Sequence, residues 1–200
     1  IALGMQAEVL LLDRNIDKLR QADRIYQGHL QTVASNRYEV EKACVDADLV
    51  IGAVLVPGAK APMLVTDDLV ARMKPGSVLV DSSTVPPAVI RRHETAIRDR
   101  RAGVLDAPVS GSVSLAESGK LTLMVGGELG DFERARPVLE AYGNRLFHLG
   151  PLGTGAAMKL AVNTVIFGLN QALSEGLVLA ERAGIQRAWA YDVLAASAVG

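Results

Sequence analysis

Apolar runs of strand length recur through the first 150 residues, each followed by a longer segment with helical spacing, and this alternation constrains the fold more than any other feature. Strands read at 8–13, 30–33, 48–54, 77–81, 103–106, 121–125 and 145–149. Helices read between them at about 16–26, 38–46, 66–73, 87–100, 112–118 and 131–142. Each helical segment is preceded by Asp, Thr or Ser, or ended by Gly or Pro, the residues that start and stop helices. Such alternation predicts parallel strands joined by crossover helices, an α/β doubly wound parallel sheet. Of the 200 residues 50% are hydrophobic, enough to fill the core of such a sheet.

The pattern changes at Gly150-Pro151-Leu152-Gly153-Thr154-Gly155, after which no strand signal follows. Residues 155–183 form one amphipathic run of about eight helical turns, and a last helix at about 187–197 carries Trp189 and Tyr191. The chain is therefore expected to divide into a sheet domain, 1–150, and the start of an all-α domain, 151–200. Helices apolar on more than one face need partners, so the helical part is expected to be incomplete and the protein to form a homo-oligomer.

Charge and composition narrow the function classes. Lys and Arg total 21 against 22 Asp and Glu, and a net charge of -1 offers no broad field for nucleic acid or an anionic bilayer. Asn163, Gly168, Asn170 and Gln171 interrupt the longest apolar stretch, which therefore reads as a buried core helix and not a membrane span. With no signal peptide in the sequence, the expected location is the cytoplasm. The single Cys44 reads as a small apolar helix residue, not a nucleophile. His29, His93 and His148 show neither metal-ligand nor triad spacing, and Gly126-Gly127-Glu128 reads as a turn before an acid-rich helix start.

Asp13 closes the run Val9-Leu10-Leu11-Leu12. It reads either as an N-cap for the helix near Ile16 or as the strand-end carboxylate that holds the adenosine ribose of NAD and repels the extra phosphate of NADP. The segments Leu12-Asp13-Arg14-Asn15-Ile16-Asp17-Lys18-Leu19-Arg20 and Ala47 to Pro62 resemble the cofactor domain of alanine dehydrogenases, over roughly residues 1–81. The resemblance implies that Asp13 and Lys18 lie at the adenosine ribose, Ser35 near the adenine, and Val54 and Leu55 along the strand-end crevice. It also implies a Rossmann-like sheet lacking its first β-α unit, because the preceding strand and Gly-rich turn, about 25 residues, would precede Ile1. After Asp81 the alanine dehydrogenase pattern fails, the chain reading Ser82-Ser83-Thr84-Val85-Pro86-Pro87.

From about Lys74 onward three motifs resemble the β-hydroxyacid dehydrogenases, the family of 3-hydroxyisobutyrate dehydrogenase. The first is Asp81-Ser82-Ser83-Thr84, which implies Thr84 near the nicotinamide ribose. The second is Asp106-Ala107-Pro108-Val109-Ser110-Gly111-Ser112, a strand end with a hydroxyl and free N–H groups suited to a carboxylate; Ser110, Gly111 and Ser112 are the substrate-binding candidates, although the family usually has a second Gly where Ser112 stands. The third runs from Gly153 to Asn163. It puts Lys159 and Asn163 four apart on one helix face. Interconverting a hydroxyl and a carbonyl needs a general acid/base at the oxygen, and Lys159, oriented by Asn163, fits; the plain alternative is a solvent-facing lysine near a helix start.

The resemblances join near Lys74 to Asp81, as in a chimera of matching sheet halves. They imply an NAD-linked oxidoreductase acting on a small 3-hydroxy acid. An alanine dehydrogenase-type cofactor domain, or an incomplete module without activity of its own, are the alternatives.

Overall fold

The structure, a computed structural model, describes residues 6–52 and 64–197. It contains β1 (Leu10–Asp13), α1 (Ile16–Tyr26), β2 (Gln31–Ala34), α2 (Arg37–Asp46), β3 (Leu49–Gly52) and α3 (Asp67–Arg72). There follow β4 (Val78–Asp81), α4 (Pro87–Arg91), α5 (Glu94–Asp99), β5 (Gly103–Asp106), β6 (Val109–Ser110) and α6 (Val113–Glu117). The remainder is β7 (Leu121–Gly127), α7 (Leu129–Leu139), β8 (Gly143–His148), α8 (Thr154–Arg182) and α9 (Arg187–Ala196).

The chain forms two compact units, 1–159 and 160–200. In the first, β3, β4 and β5 are parallel neighbours. Their side chains alternate between two cores, as the pleat requires. Val78, Val80 and Leu105 pack with Phe132 and Leu139 of α7 on one face. Leu79 and Val104 pack with Val70, Ile90 and Ile97 of α3, α4 and α5, and with Met73 just after α3, on the other. Helices on both faces of a largely parallel sheet make the unit Rossmann-like.

The sheet is interrupted. β1 and β2 pair in parallel as a separate ladder, and among the described residues no strand joins β1 to β3. A doubly wound sheet places its first strand in that interval. β1 and β3 keep the continuous apolar sequence of strands meant to be covered on both faces, yet Leu10, Leu11 and Ile51 are 40%, 38% and 42% exposed. A cluster of Leu12, Val40, Cys44, Val50 and Leu69 still links the two ladders.

Three expectations are corrected. The strand at 121–125 runs antiparallel to β5, and a strand absent from the sequence reading, β6, continues β5 in the same register along β7. The physical reason is length, for a parallel crossover needs a dozen or more residues and Ser110 and Leu121 are too close for one. Residues 87–100 break into α4 and α5 at Arg92-His93, and Gly126 and Gly127 end strand β7 instead of forming a turn.

In the second unit the later part of α8 and all of α9 enclose Leu177 and Ala190. Val165, Phe167, Leu169, Leu179, Trp189 and Val193 are exposed. Among the described residues no helix is long and apolar enough to cross a membrane.

Candidate active site

At the ends of β1 and β2 the structure brings Asp13 and Ser35 together. The Ser35 amide donates to the Asp13 carbonyl at 2.9 Å. Asp13 does not cap α1; Asn15 does, accepting from the amides of Asp17 at 2.9 Å and Lys18 at 3.2 Å. Asp13 instead takes the Asn15 amide on Oδ1 at 2.8 Å, which fixes the carboxylate at the strand end. Lys18 stands exposed in the first turn of α1. Val54 and Leu55 lie outside the described residues.

The register of β3, β4 and β5 sets Gly52, Asp81 and Asp106 at one level on the C-terminal edge. Asp81 Oδ1 accepts the Ser83 amide at 2.8 Å, and Thr84 follows, exposed. Ser110 ends β6 half-buried, and Gly111 follows with φ +145, a conformation and a space, against Leu115 and Leu121, that suit glycine alone. Ser112 stands at φ -82, ψ 174, extended backbone that needs no glycine, with its hydroxyl 2.7 Å from that of Ser114.

Lys159 lies in the second turn of α8. Its neighbours Ala157, Met158 and Leu160 are exposed while Lys159 is half-buried, and burial pulls its ammonium below the ordinary lysine value. The face it occupies is the one docked on the sheet, because Gly155 and Ala156, four and three residues earlier, are buried. Asn163, half-buried, is one turn further along the same helix and belongs to the second unit.

Asp106 was missed as a functional position by sequence reasoning. Its carboxylate, fully buried, accepts the Gly153 amide at 2.7 Å on one oxygen and the Ala156 amide at 2.6 Å on the other. Arg91 holds the approach to the helix, its Nε donating to the Leu152 carbonyl at 2.8 Å. A signal was present: a long helix entered through Gly153, which has no side chain to cap it, must draw an acceptor from elsewhere.

His148 Nε2 is 2.8 Å from the Gly127 carbonyl and its ring stacks on Phe132. Cys44 is buried, which pushes its thiol up, away from reactivity. No group of side chains that could hold a metal ion occurs among the described residues.

A Rossmann-like sheet with a strand-end carboxylate at one side and a half-buried lysine at the other defines the class, an α/β dinucleotide-type fold of the dehydrogenases. Residues 1–95 match the family described as alanine dehydrogenase/PNT, C-terminal domain. The chain is 64% identical to alanine dehydrogenase of Mycobacterium tuberculosis over 81 residues, 40% of this chain and 22% of that protein. It is 33% identical to NAD-dependent L-serine dehydrogenase of Pseudomonas aeruginosa over 174 residues, 86% of this chain and 58% of that protein. Among solved structures, 3-hydroxyisobutyrate dehydrogenase from Salmonella typhimurium superposes with TM-score 0.79 at 27% identity, covering 100% of this chain and 68% of that one. The Mycobacterium tuberculosis 3-hydroxyisobutyrate dehydrogenase with L-serine gives TM-score 0.75 at 28% identity, covering 99% and 65%. The chain is thus similar to 3-hydroxyisobutyrate dehydrogenase-like proteins over most of its length and to alanine dehydrogenases over its first part, the mixed pattern the motifs implied. It spans about a fifth of the alanine dehydrogenase and three fifths of the serine dehydrogenase.

Proposed function

We propose that the chain is the sheet domain and the start of the helical domain of an NAD-linked dehydrogenase that interconverts the hydroxyl and aldehyde of a small 3-hydroxy acid. The observation that carries this reading is Lys159, a lysine withdrawn from water and poised below its ordinary pKa on a helix start docked on the sheet.

The residues at the ends of β1 and β2 suit the adenosine end of the cofactor, since the Asp13 carboxylate would accept from a ribose hydroxyl and Ser35 and Lys18 offer polar contacts. Asp13 disfavours the 2′-phosphate of NADP, and Thr84 would line the path to the nicotinamide. When bound, NAD supplies the acceptor for the hydride leaving the hydroxyl carbon. The protein's own task is the proton. Neutral Lys159 takes it from the substrate hydroxyl at Nζ during oxidation and returns it during reduction, with Asn163 orienting the amine. Ser110 and Ser112 hydroxyls and the Gly111 amide hold the substrate carboxylate without a full countercharge, so a small acid is oriented by its charged end. L-serine and 3-hydroxyisobutyrate both fit that description. Copies of the chain associate through the exposed apolar helix faces.

NADH formation with NAD and either L-serine or 3-hydroxyisobutyrate, measured in a protein in which a strand, Gly-rich turn and helix are joined ahead of β1, tests the reading. The expected result is activity abolished by Lys159→Ala; activity that survives this substitution overturns the role of the lysine. Alanine-dependent NADH formation would instead assign the activity suggested by the first 81 residues.

A further inference from the structure

We infer that Asp106 is a positioning residue for Lys159: its carboxylate fixes the first turn of α8 on the end of β5 and so sets the face and height at which the lysine stands. The inference rests on the reading of Lys159 as the proton carrier.

The geometry is a clamp from outside the helix. A helix start leaves its first amides without intrahelical partners. The residue before α8 is Gly153, so the bond that an N-cap side chain would make to the Ala156 amide comes from Asp106, 50 residues earlier, whose other oxygen takes the Gly153 amide itself. Both oxygens of Asp106 are used, on two amides of one turn, which fixes the rotation of the helix as well as its distance from the strand. A buried carboxylate bonded only to amides is suited to the positive end of a helix of 29 residues. The surroundings are cut to fit. A Cβ on Gly126 would overlap Asp106 Oδ1, and a Cβ on Gly155 would overlap the Met124 carbonyl oxygen. Ala156, one of the clamped residues, shares a helix face with Lys159 and lies about 4.5 Å from it along the axis. Any tilt or rotation at the clamp is therefore passed to the lysine with little loss.

Asp106→Asn is the probing variant. It keeps the shape, but one of its two terminal groups becomes a donor and meets an amide N–H. Lysines carrying 13C-methyl groups, with Lys159 assigned by its absence in Lys159→Arg, report the titration of each amine, and exposed Lys42 and Lys120 serve as internal references. If the clamp sets the lysine's burial, Asp106→Asn loosens the turn, hydrates Lys159 and raises its titration midpoint toward the ordinary lysine value. Removing a negative charge acts in the opposite sense, lowering the midpoint. A fall or no change therefore overturns the inference. If Asp106→Asn does not fold, hydrogen exchange on the unaltered chain decides: Gly153 and Ala156 amides protected as strongly as those of β5 support the clamp, and exchange at the rate of a frayed helix end overturns it. Neither measurement needs cofactor or turnover, so failure of the dehydrogenase reading shows separately, in the NADH assay.

Discussion

Lys159 links its own burial to the stability of the protein, and the sign can be worked out. Below its depressed folded value the side chain is an ammonium in both states, and the folded state bears the desolvation cost. Between that value and the ordinary 10.5 it is neutral only when folded, the unfolded chain binds the extra proton, and stability rises with pH. Lys159→Met removes this contribution. Its stability should climb less steeply through the alkaline window, and urea midpoints of the two proteins compared across a pH series check it. A second residue-scale prediction concerns Asp13. With Asp13→Ser the repulsion of the ribose phosphate is lost while a hydroxyl partner is kept, so the preference for NAD over NADP should fall, about tenfold for each 1.4 kcal/mol of repulsion removed; the ratio of dissociation constants measures it. Asp13, Asp81 and Asp106 all end strands and look alike in sequence. The first two turn back to an amide two residues on, whereas Asp106 reaches across the fold. A partner two residues on is within reach of a sequence reading, although Asp13 read as a possible cap of α1, a role that Asn15 takes. The distant one is not, because nothing in a strand-ending aspartate reveals which helix start lies above it.

Elements were legible wherever local pattern and tertiary context agree, as in α1, β4 and α7. The orientation of β7 was not, since an apolar run says nothing of its direction and only the short connection from β6 excludes a crossover. The junction of α8 with the sheet yields the clearest prediction at this scale. Gly155→Ala improves helix propensity by up to about 1 kcal/mol, yet its Cβ would strike the Met124 backbone, which cannot rotate aside. Overpacking of this kind costs typically about 1–3 kcal/mol, so net destabilisation is expected, read from urea denaturation. Gly168→Ala is the control: nothing lies near its Cβ, and it should be neutral or stabilising. The same helix makes a prediction about association. Val165, Phe167, Leu169 and Leu179 of α8 and Trp189 and Val193 of α9 are each exposed, and self-association should appear in sedimentation equilibrium and weaken with Phe167→Lys. A monomer at high concentration would remove the proposed oligomer.

For the molecule as a whole, the interruption between β1 and β3 governs what the chain can bind. In a doubly wound sheet the interval holds the strand whose Gly-rich turn places a helix N-terminus under the cofactor's pyrophosphate. No described strand fills it, and Leu10, Leu11 and Ile51 remain exposed on its two sides. Asp13, the proposed ribose partner, stands at the end of β1 with its carboxylate fixed by the Asn15 amide. Adenosine contacts without the phosphate cradle leave a doubly charged group to water, so titration calorimetry of the 200-residue chain with NADH should show weak binding or none. A strand, Gly-rich turn and helix joined ahead of β1 should restore two properties together. Burial of the exposed strand residues should raise the unfolding temperature, and the helix N-terminus should bring measurable NADH binding that Asp13→Ser diminishes. Stabilisation without binding would mean that the interval takes a strand but the cofactor sits elsewhere. Tight binding by the chain without the addition would show that the interruption is of no consequence to the cofactor, and would detach the ribose contact from the phosphate site on which the doubly wound fold ordinarily depends.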